Sequence, residues 1–336
     1  MFDIRELTLP VIGAPMAGGA STPALAAAVS DVGGLGFLAA GYKTADAVAA
    51  EIAAFRAATT APFGLNLFVI EPYEPEAAAL DAYRRSLEHE AARLGTGLGE
   101  ARWEDDEWRA KVDLVLDVRP DVVSFTFGCP PQETLHQLVD RGVLSAVTVT
   151  SVHEAQVAAA RGAASLCVQG PDAGGHRGTW DLEANPNTTT LDELVSAVCA
   201  VVDVPVVAGG GIADSDGVKS VLDNGAVAAQ VGTAYLLADE AGTNPTHRAA
   251  LVDPTFTGTA VTRAYTGRWA RGLANRFMTD HADAPAGYPH LHHLTSPLRK
   301  AAVATGDLQV AHLWAGTGHA HARAASAARI TQSLVT

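Results

Sequence analysis

VPVVAGGGIADSDGVKSVLDNGAVAAQVGTAYLLA, residues 204–238, runs twice through one pattern. A short apolar, β-branched run ends in Gly209, Gly210 and Gly211. A segment with helical spacing follows, opening with Asp214 or Ser215 as its cap, and a second apolar run then ends at Gly232. Apolar runs this continuous, separated by a helix, are strands buried on both faces of a parallel sheet.

The same alternation extends through most of the chain. PVIGAPM leads into TPALAAAVSDVGG, and LGFLAAG leads into TADAVAAEIAAFRAAT. PFGLNLFV stands before a charged stretch; DVVSFTFG, LSAVTVT and ASLCVQG come after it, the first two each followed by a helical segment. With the two runs of residues 204–238 this makes eight strand candidates, and eight predict closure into an α/β (β/α)8 TIM barrel. An open, doubly wound sheet is the alternative that periodicity alone leaves standing. Residues 1–238 are therefore expected to form the barrel. Residues 71–112, charged and helical in pattern, are expected as an insert over the mouth of the third βα unit. Residues 239–310, without further strong strands, are expected as a smaller helical lid or second domain, and residues 311–336 as a C-terminal helix returning to the barrel.

The 336 residues carry a net charge of −14 with 18% charged and 48% hydrophobic residues, and no long basic stripe offsets the acidity. That argues against a nucleic-acid partner and for a small-molecule one, which local arginines or helix N-termini could still make an anion. The N-terminus lacks a basic stretch followed by an apolar one, and the apolar runs are short and interrupted. Neither a secretory signal nor a membrane span is expected, which makes the cytoplasm the expected compartment. Cys129, Cys167 and Cys199 are few and widely spaced, as reduced core cysteines would be. The sequence leaves the oligomeric state open, a homodimer being one option.

Two consecutive strand ends carry anion-binding chemistry. Gly210 and Gly211 precede a helix N-terminus, and Gln230, Val231, Gly232 and Thr233 stand at the next strand end. Bare N–H groups beside a helix start bind phosphate, and barrels commonly place that site after strands seven and eight. The spacing is not the G-x-G-x-x-G of a dinucleotide site. Asn66 in GLNLF and Gln169 in CVQG put amides where an apolar strand would stay apolar, which suits hydrogen bonding to a planar ring. Ala14, Pro15 and Met16 add backbone groups held in an extended turn. In QGPDAGGHRG, residues 169–178, His176 follows two glycines at the end of a strand, where a near-neutral side chain meets whatever the backbone approaches. His281, His290, His292 and His293 read as histidines of a proline-rich loop, without the partners of a metal site. Arg263, Arg268, Arg271 and Arg276 recur at near-helical intervals, as a solvated face or a cluster turned towards substrate.

The chain resembles the class I nitronate monooxygenases, formerly grouped as 2-nitropropane dioxygenases. The resemblance rests on PVIGAPMAGGAS, FGLNLFV, QGPDAGGHRG, PVVAGGGIADSDGV, QVGTAYLL, TRAYTGRWARGLANRF and LWAGTG, and spans nearly the whole chain. It implies an FMN-dependent barrel that oxidises alkyl nitronates with molecular oxygen. By motif, Asn66, Gln169, Gly174, Gly211 and the run Gln230 to Thr233 would hold FMN, and His176 would be catalytic. Asp172 stands where the family more often has glutamate, and Ala274 where a basic residue is common. An AGGH block also occurs in FMN-dependent enoyl-acyl-carrier-protein reductases, so an NAD(P)H-dependent reductase is the nearest rival. A non-catalytic flavin- or phosphate-binding barrel is a further one.

Overall fold

The computed structural model describes residues 2–336. Eight parallel strands close a barrel in the order β1 (Val11–Gly13), β2 (Leu35–Ala39), β3 (Phe63–Phe68), β4 (Val122–Thr126), β5 (Leu144–Val149), β6 (Ser165–Gln169), β8 (Val206–Gly209) and β9 (Ala228–Val231). β9 returns to β1 through the register Ile12 with Gln230. Each of the eight apolar runs read from the sequence is one of these strands. β7 (Gly175–His176) leaves the barrel and forms the edge of a second sheet.

The helices around the barrel are α1 (Pro23–Asp31), α2 (Ala45–Ala58), α4 (Trp108–Val118), α5 (Gln132–Asp140), α6 (Val152–Ala160), α7 (Leu191–Cys199) and α8 (Ser215–Asp223). Their starts are written locally. Thr22, Thr44, Ser151 and Asp214 each accept a backbone N–H of the first turn, Pro23 follows its cap directly, and Thr190 with Glu193 completes a capping box. The core of the barrel lies in two layers. Val11, Leu38, Phe55, Val147 and Val195 belong to the shell between strands and helices, while Ile12, Leu35, Phe37, Val122, Leu144, Cys167 and Val207 fill the barrel interior above Ile4.

Along the inward faces, apolar residues near the N-terminal end give way two positions later to polar or small ones at the C-terminal end. Val122 is followed by Ser124 and Thr126, Ala146 by Thr148, Cys167 by Gln169, Val207 by Gly209, and Ala228 by Gln230. This change of chemistry creates the floor of a polar site at the C-terminal mouth.

Three regions differ from the sequence expectation. α3 (Ala77–Arg93) packs on α11 (His290–Thr305), but α4 begins at Trp108, inside residues 71–112, and lies between α2 and α5 as the barrel's own third outer helix. Residues 239–310 contain α9 (Pro245–Val252), α10 (Arg276–Asp280) and α11, and also two strands, β10 (Thr259–Thr262) and β11 (Ala270–Leu273). With β7 they form an antiparallel sheet of order β10-β11-β7, so this region is not purely helical. Arg271 and Gly272 within β11, and Gly267 just before it at φ +77°, interrupt the apolar alternation that marks a strand. His290, His292 and His293 lie in α11 and not in a loop. The histidines and Pro297 mask a helical stripe in which Leu291, Leu294, Leu298 and Ala302 are buried. α12 (Ala327–Ser333) packs on α1.

Candidate active site

A cavity of about 700 Å³ opens at the C-terminal mouth of the barrel. It collects Ala14, Pro15, Met16, Asn66, Gln169, Gly174, His176, Gly210, Gly211, Gln230, Gly232 and Thr233 from the ends of five barrel strands and the loops after them. Val231 is not part of its lining. That side chain is buried, 1% exposed, and its carbonyl accepts the Ala14 N–H at 2.8 Å, which helps to close the barrel.

Gly210 (φ +127°) and Gly211 (φ +77°) occupy backbone conformations that favour glycine. Among the described residues, no acceptor takes the N–H of Gly210, Gly211 or Ile212. At the neighbouring strand end, Gly232 caps a short 3-10 helix, Thr233–Tyr235, without a side-chain bond to its N–H groups. The two turns offer free donors to one anion. A third segment joins them. A side chain at Gly174 would come within 2.5 Å of the Gly316 nitrogen, and one at Gly316 within 2.7 Å of the Asp172 carbonyl. The close approach that Gly174 allows is therefore to the C-terminal AGTG segment, whose Gly316 N–H donates to Thr233 Oγ1 at 2.9 Å.

The strand-end amides divide their work. Asn66 Nδ2 donates to Ser124 Oγ at 2.9 Å and Thr126 Oγ1 at 3.0 Å, while its Oδ1 receives no hydrogen bond among the described residues and is left to accept from a ligand. Gln169 instead clamps the chain. Its Nε2 donates to the His176 carbonyl at 3.1 Å and its Oε1 accepts the Gly178 N–H at 2.8 Å. Ser124, Thr126 and Thr148 also line the cavity. Sequence reading missed them, although the polar turn taken by the inward alternation of β4 and β5 carried the signal.

His176 sits on β7, paired with Ala270 of β11 and preceded by Gly175 at φ +73°. Its Nε2 lies 2.9 Å from Thr266 Oγ1, and Phe127, Tyr288 and Trp314 surround the ring with centroids 5.6–5.8 Å away. Burial, reinforced by the nearby Arg268 and Arg299 guanidiniums, pushes its pKa down to about 3, so the imidazole is neutral at pH 7. Such a ring can accept a proton or a hydrogen bond from a ligand in the cavity.

The four arginines singled out in the sequence do not share a face. Arg263 stacks over Trp269 and donates to the carbonyls of Leu182 and Glu183. Arg268 lies over Phe127 and donates to the Thr179 carbonyl. Arg271 holds the Pro171 carbonyl at 3.0 Å, and Arg276 pairs with Glu90 and Asp280. None of them lines the cavity; Arg299 and Lys300 of α11 do. Together with Arg177, which donates to the Gly170 carbonyl, Arg271 fixes the carbonyl side of the loop that carries His176.

The family model of the nitronate monooxygenases matches residues 2–336. Nitronate monooxygenase of Pseudomonas aeruginosa is 38% identical over 97% of this chain and 95% of its own. The chain belongs to the nitronate monooxygenase family. A probable nitronate monooxygenase of Bacillus subtilis is 34% identical, with 93% of this chain and 91% of its own covered. Among solved structures, nitroalkane oxidase from Streptomyces ansochromogenes superposes with a TM-score of 0.93 at 46% identity, over 98% of this chain and 95% of that one. FabK from Thermotoga maritima gives a TM-score of 0.76 at 26% identity, over 99% and 93%. The nitronate monooxygenase family is flavin-dependent, and the cavity meets a flavin's demands on two observations: free N–H donors for an anion at Gly210–Ile212, and an unmet carbonyl acceptor on Asn66. Among the described residues, no helix is long and apolar enough to cross a membrane.

Proposed function

We propose that the cavity holds FMN and that the protein oxidises alkyl nitronates with molecular oxygen, releasing a carbonyl compound and nitrite. Membership of the nitronate monooxygenase family supports the reaction class. The observation that carries the site assignment is the placing of a neutral, partly buried His176 in the same cavity as the Gly210–Gly211 and Gly232–Thr233 turns. In this reading the two turns hold the phosphate. Asn66, Gln230 and the Ala14–Met16 backbone hold the ring, Gln169 and Gly174 act through the chain segments they fix beside it, and Val231 contributes only through the strand that bears the turn.

When bound, FMN supplies the electron transfer, and the chain supplies position, dryness and proton control. Phe127, Tyr288 and Trp314 pack around His176 and give its ring an apolar surround on the sides away from the cavity. Thr266 Oγ1 fixes the imidazole through Nε2. Held so, the neutral ring can hydrogen-bond a nitronate oxygen, or take the α-proton when a neutral nitroalkane enters. β10, β11 and α11 act in this reading as the lid that brings Thr266 and Tyr288 over the barrel mouth. The identity of the cofactor is the first test. Chromatography of the heat-released chromophore is expected to give FMN; FAD, or no flavin after reconstitution, would remove the reading's basis.

A further inference from the structure

Helix α11 presents Arg299 to the cavity with its charge unanswered by the protein. The residue is 7% exposed. Its Nε donates to Thr295 Oγ1 at 3.1 Å and its Nη2 to the His292 carbonyl at 2.9 Å, both on its own helix, and its Nη1 has no acceptor among the described residues. No carboxylate pairs with it among the described residues. The acidic groups facing it are the phenols of Tyr42, Tyr265 and Tyr288, each driven upward by burial and so uncharged at neutral pH.

Other buried cations of this fold are answered inside the protein, Arg177 by the carbonyls of Gly170 and Gln169 although no carboxylate pairs with it. Lys111 lies 2.7 Å from Asp106. Arg268 is covered by the rings of Phe127 and Tyr288 and does not line the cavity. On the cavity side Arg299 has beside it the imidazoles of His176, His292 and His312, which can hydrogen-bond but cannot neutralise a cation, and the exposed Lys300, which only adds positive charge. A buried, unpaired guanidinium is costly to keep unless a ligand supplies the missing negative charge.

We propose that Arg299 is the anion subsite of the cavity, its Nη1 edge donating to the charged oxygens of a bound nitronate and so selecting the anion over the neutral nitroalkane. This deepens the nitronate reading and rests on it for the identity of the substrate. Its partners in the contact are His176 on β7 and His292 on α11, the latter stacked on Tyr42 at 4.3 Å.

The test compares wild-type holoenzyme with Arg299→Lys and Arg299→Met. Nitrite, the small anionic product, is titrated calorimetrically; turnover is measured on the pre-formed nitronate of 2-nitropropane and on neutral 2-nitropropane. In Arg299→Met the nitrite Kd and the nitronate KM are expected to rise at least about tenfold, with kcat changed less than about threefold, because an interaction made equally in ground and transition states is lost. Arg299→Lys should recover part of the loss, and KM for the neutral nitroalkane should stay within about twofold in both. Unchanged nitrite affinity and nitronate KM in Arg299→Met overturn the proposal, as does a wild-type holoenzyme that binds no nitrite. Loss of flavin with unchanged anion affinity after reconstitution overturns it too, by giving the guanidinium to the cofactor. If Arg299→Met does not fold, the same comparison with Arg299→Lys and Arg299→Gln decides. A wild-type enzyme that turns over no nitronate sinks the functional reading alone, since the nitrite titration still reports on Arg299.

Discussion

At the residue scale, His176 separates a catalyst from a scaffold. Its side chain makes one hydrogen bond, to Thr266, while the backbone around it is held by Gln169, Arg177 and the pairing with β11. His176→Asn should therefore keep flavin and melt within a few degrees of wild type. Activity on a neutral nitroalkane should fall by roughly 10²–10⁴-fold, where a base must take a proton. On a pre-formed nitronate the loss should be about tenfold, since one hydrogen bond is missing. Stopped-flow turnover of both substrates at matched pH measures the difference. Equal losses would make His176 an anion ligand and no base, and undiminished activity on both would make it structural.

At the element scale, the segment between β3 and β4 carries a buried ion pair that holds one of its ties to the cavity wall. Asp106 accepts the Tyr42 N–H at 2.9 Å through Oδ1 and meets Lys111 Nζ through Oδ2, and Tyr42, at φ +67°, stacks on His292 in the cavity wall. Burial raises the Asp106 carboxyl, while Lys111 is the first of the groups that offset it. Lys111→Met leaves that carboxylate uncompensated and should cost about 3–5 kcal/mol in urea unfolding, whereas Asp106→Asn/Lys111→Met, which removes both charges and keeps an acceptor for the Tyr42 N–H, should recover most of it. A single variant as stable as wild type would mean that the pair does not tether the segment. Elements are also where the sequence was least legible. The eight barrel strands announced themselves because each is buried on both faces and reads as a run of Val, Leu, Ala and Ile. β10 and β11 did not, because ARGL puts Arg271 and Gly272 where alternation would show a face, and β11 is specified by pairing with β7, far away in sequence, as well as with the neighbouring β10. α11 was hidden by the histidines and Pro297 that interrupt its apolar pattern in the sequence.

At the scale of the whole molecule, the candidate site was legible where one strand end carries its own chemistry, as at Gly210–Gly211, Gln230–Thr233 and Asn66. It was not legible where distant segments meet. Nothing local in LWAGTG says that Gly316 packs on Asp172 and Gly174, and nothing in SPLRK says that Arg299 faces His176 and not solvent. The near-helical spacing of Arg263, Arg268, Arg271 and Arg276 suggested one face, yet the chain turns between them and each guanidinium finds carbonyls, rings or carboxylates elsewhere. Barrel, C-terminal segment and lid thus meet in one cavity, and the central claim is that this cavity passes electrons from a nitronate to a bound flavin. Its most direct measurement is the visible spectrum of the purified, flavin-loaded protein under anaerobic conditions, recorded before and after adding a pre-formed nitronate, with NADH added to a parallel sample. The expected result is bleaching of the flavin band by the nitronate alone, with the band restored and nitrite formed when oxygen is admitted. Bleaching by NADH, with a spectrum indifferent to the nitronate, would contradict it and make the protein a reductase.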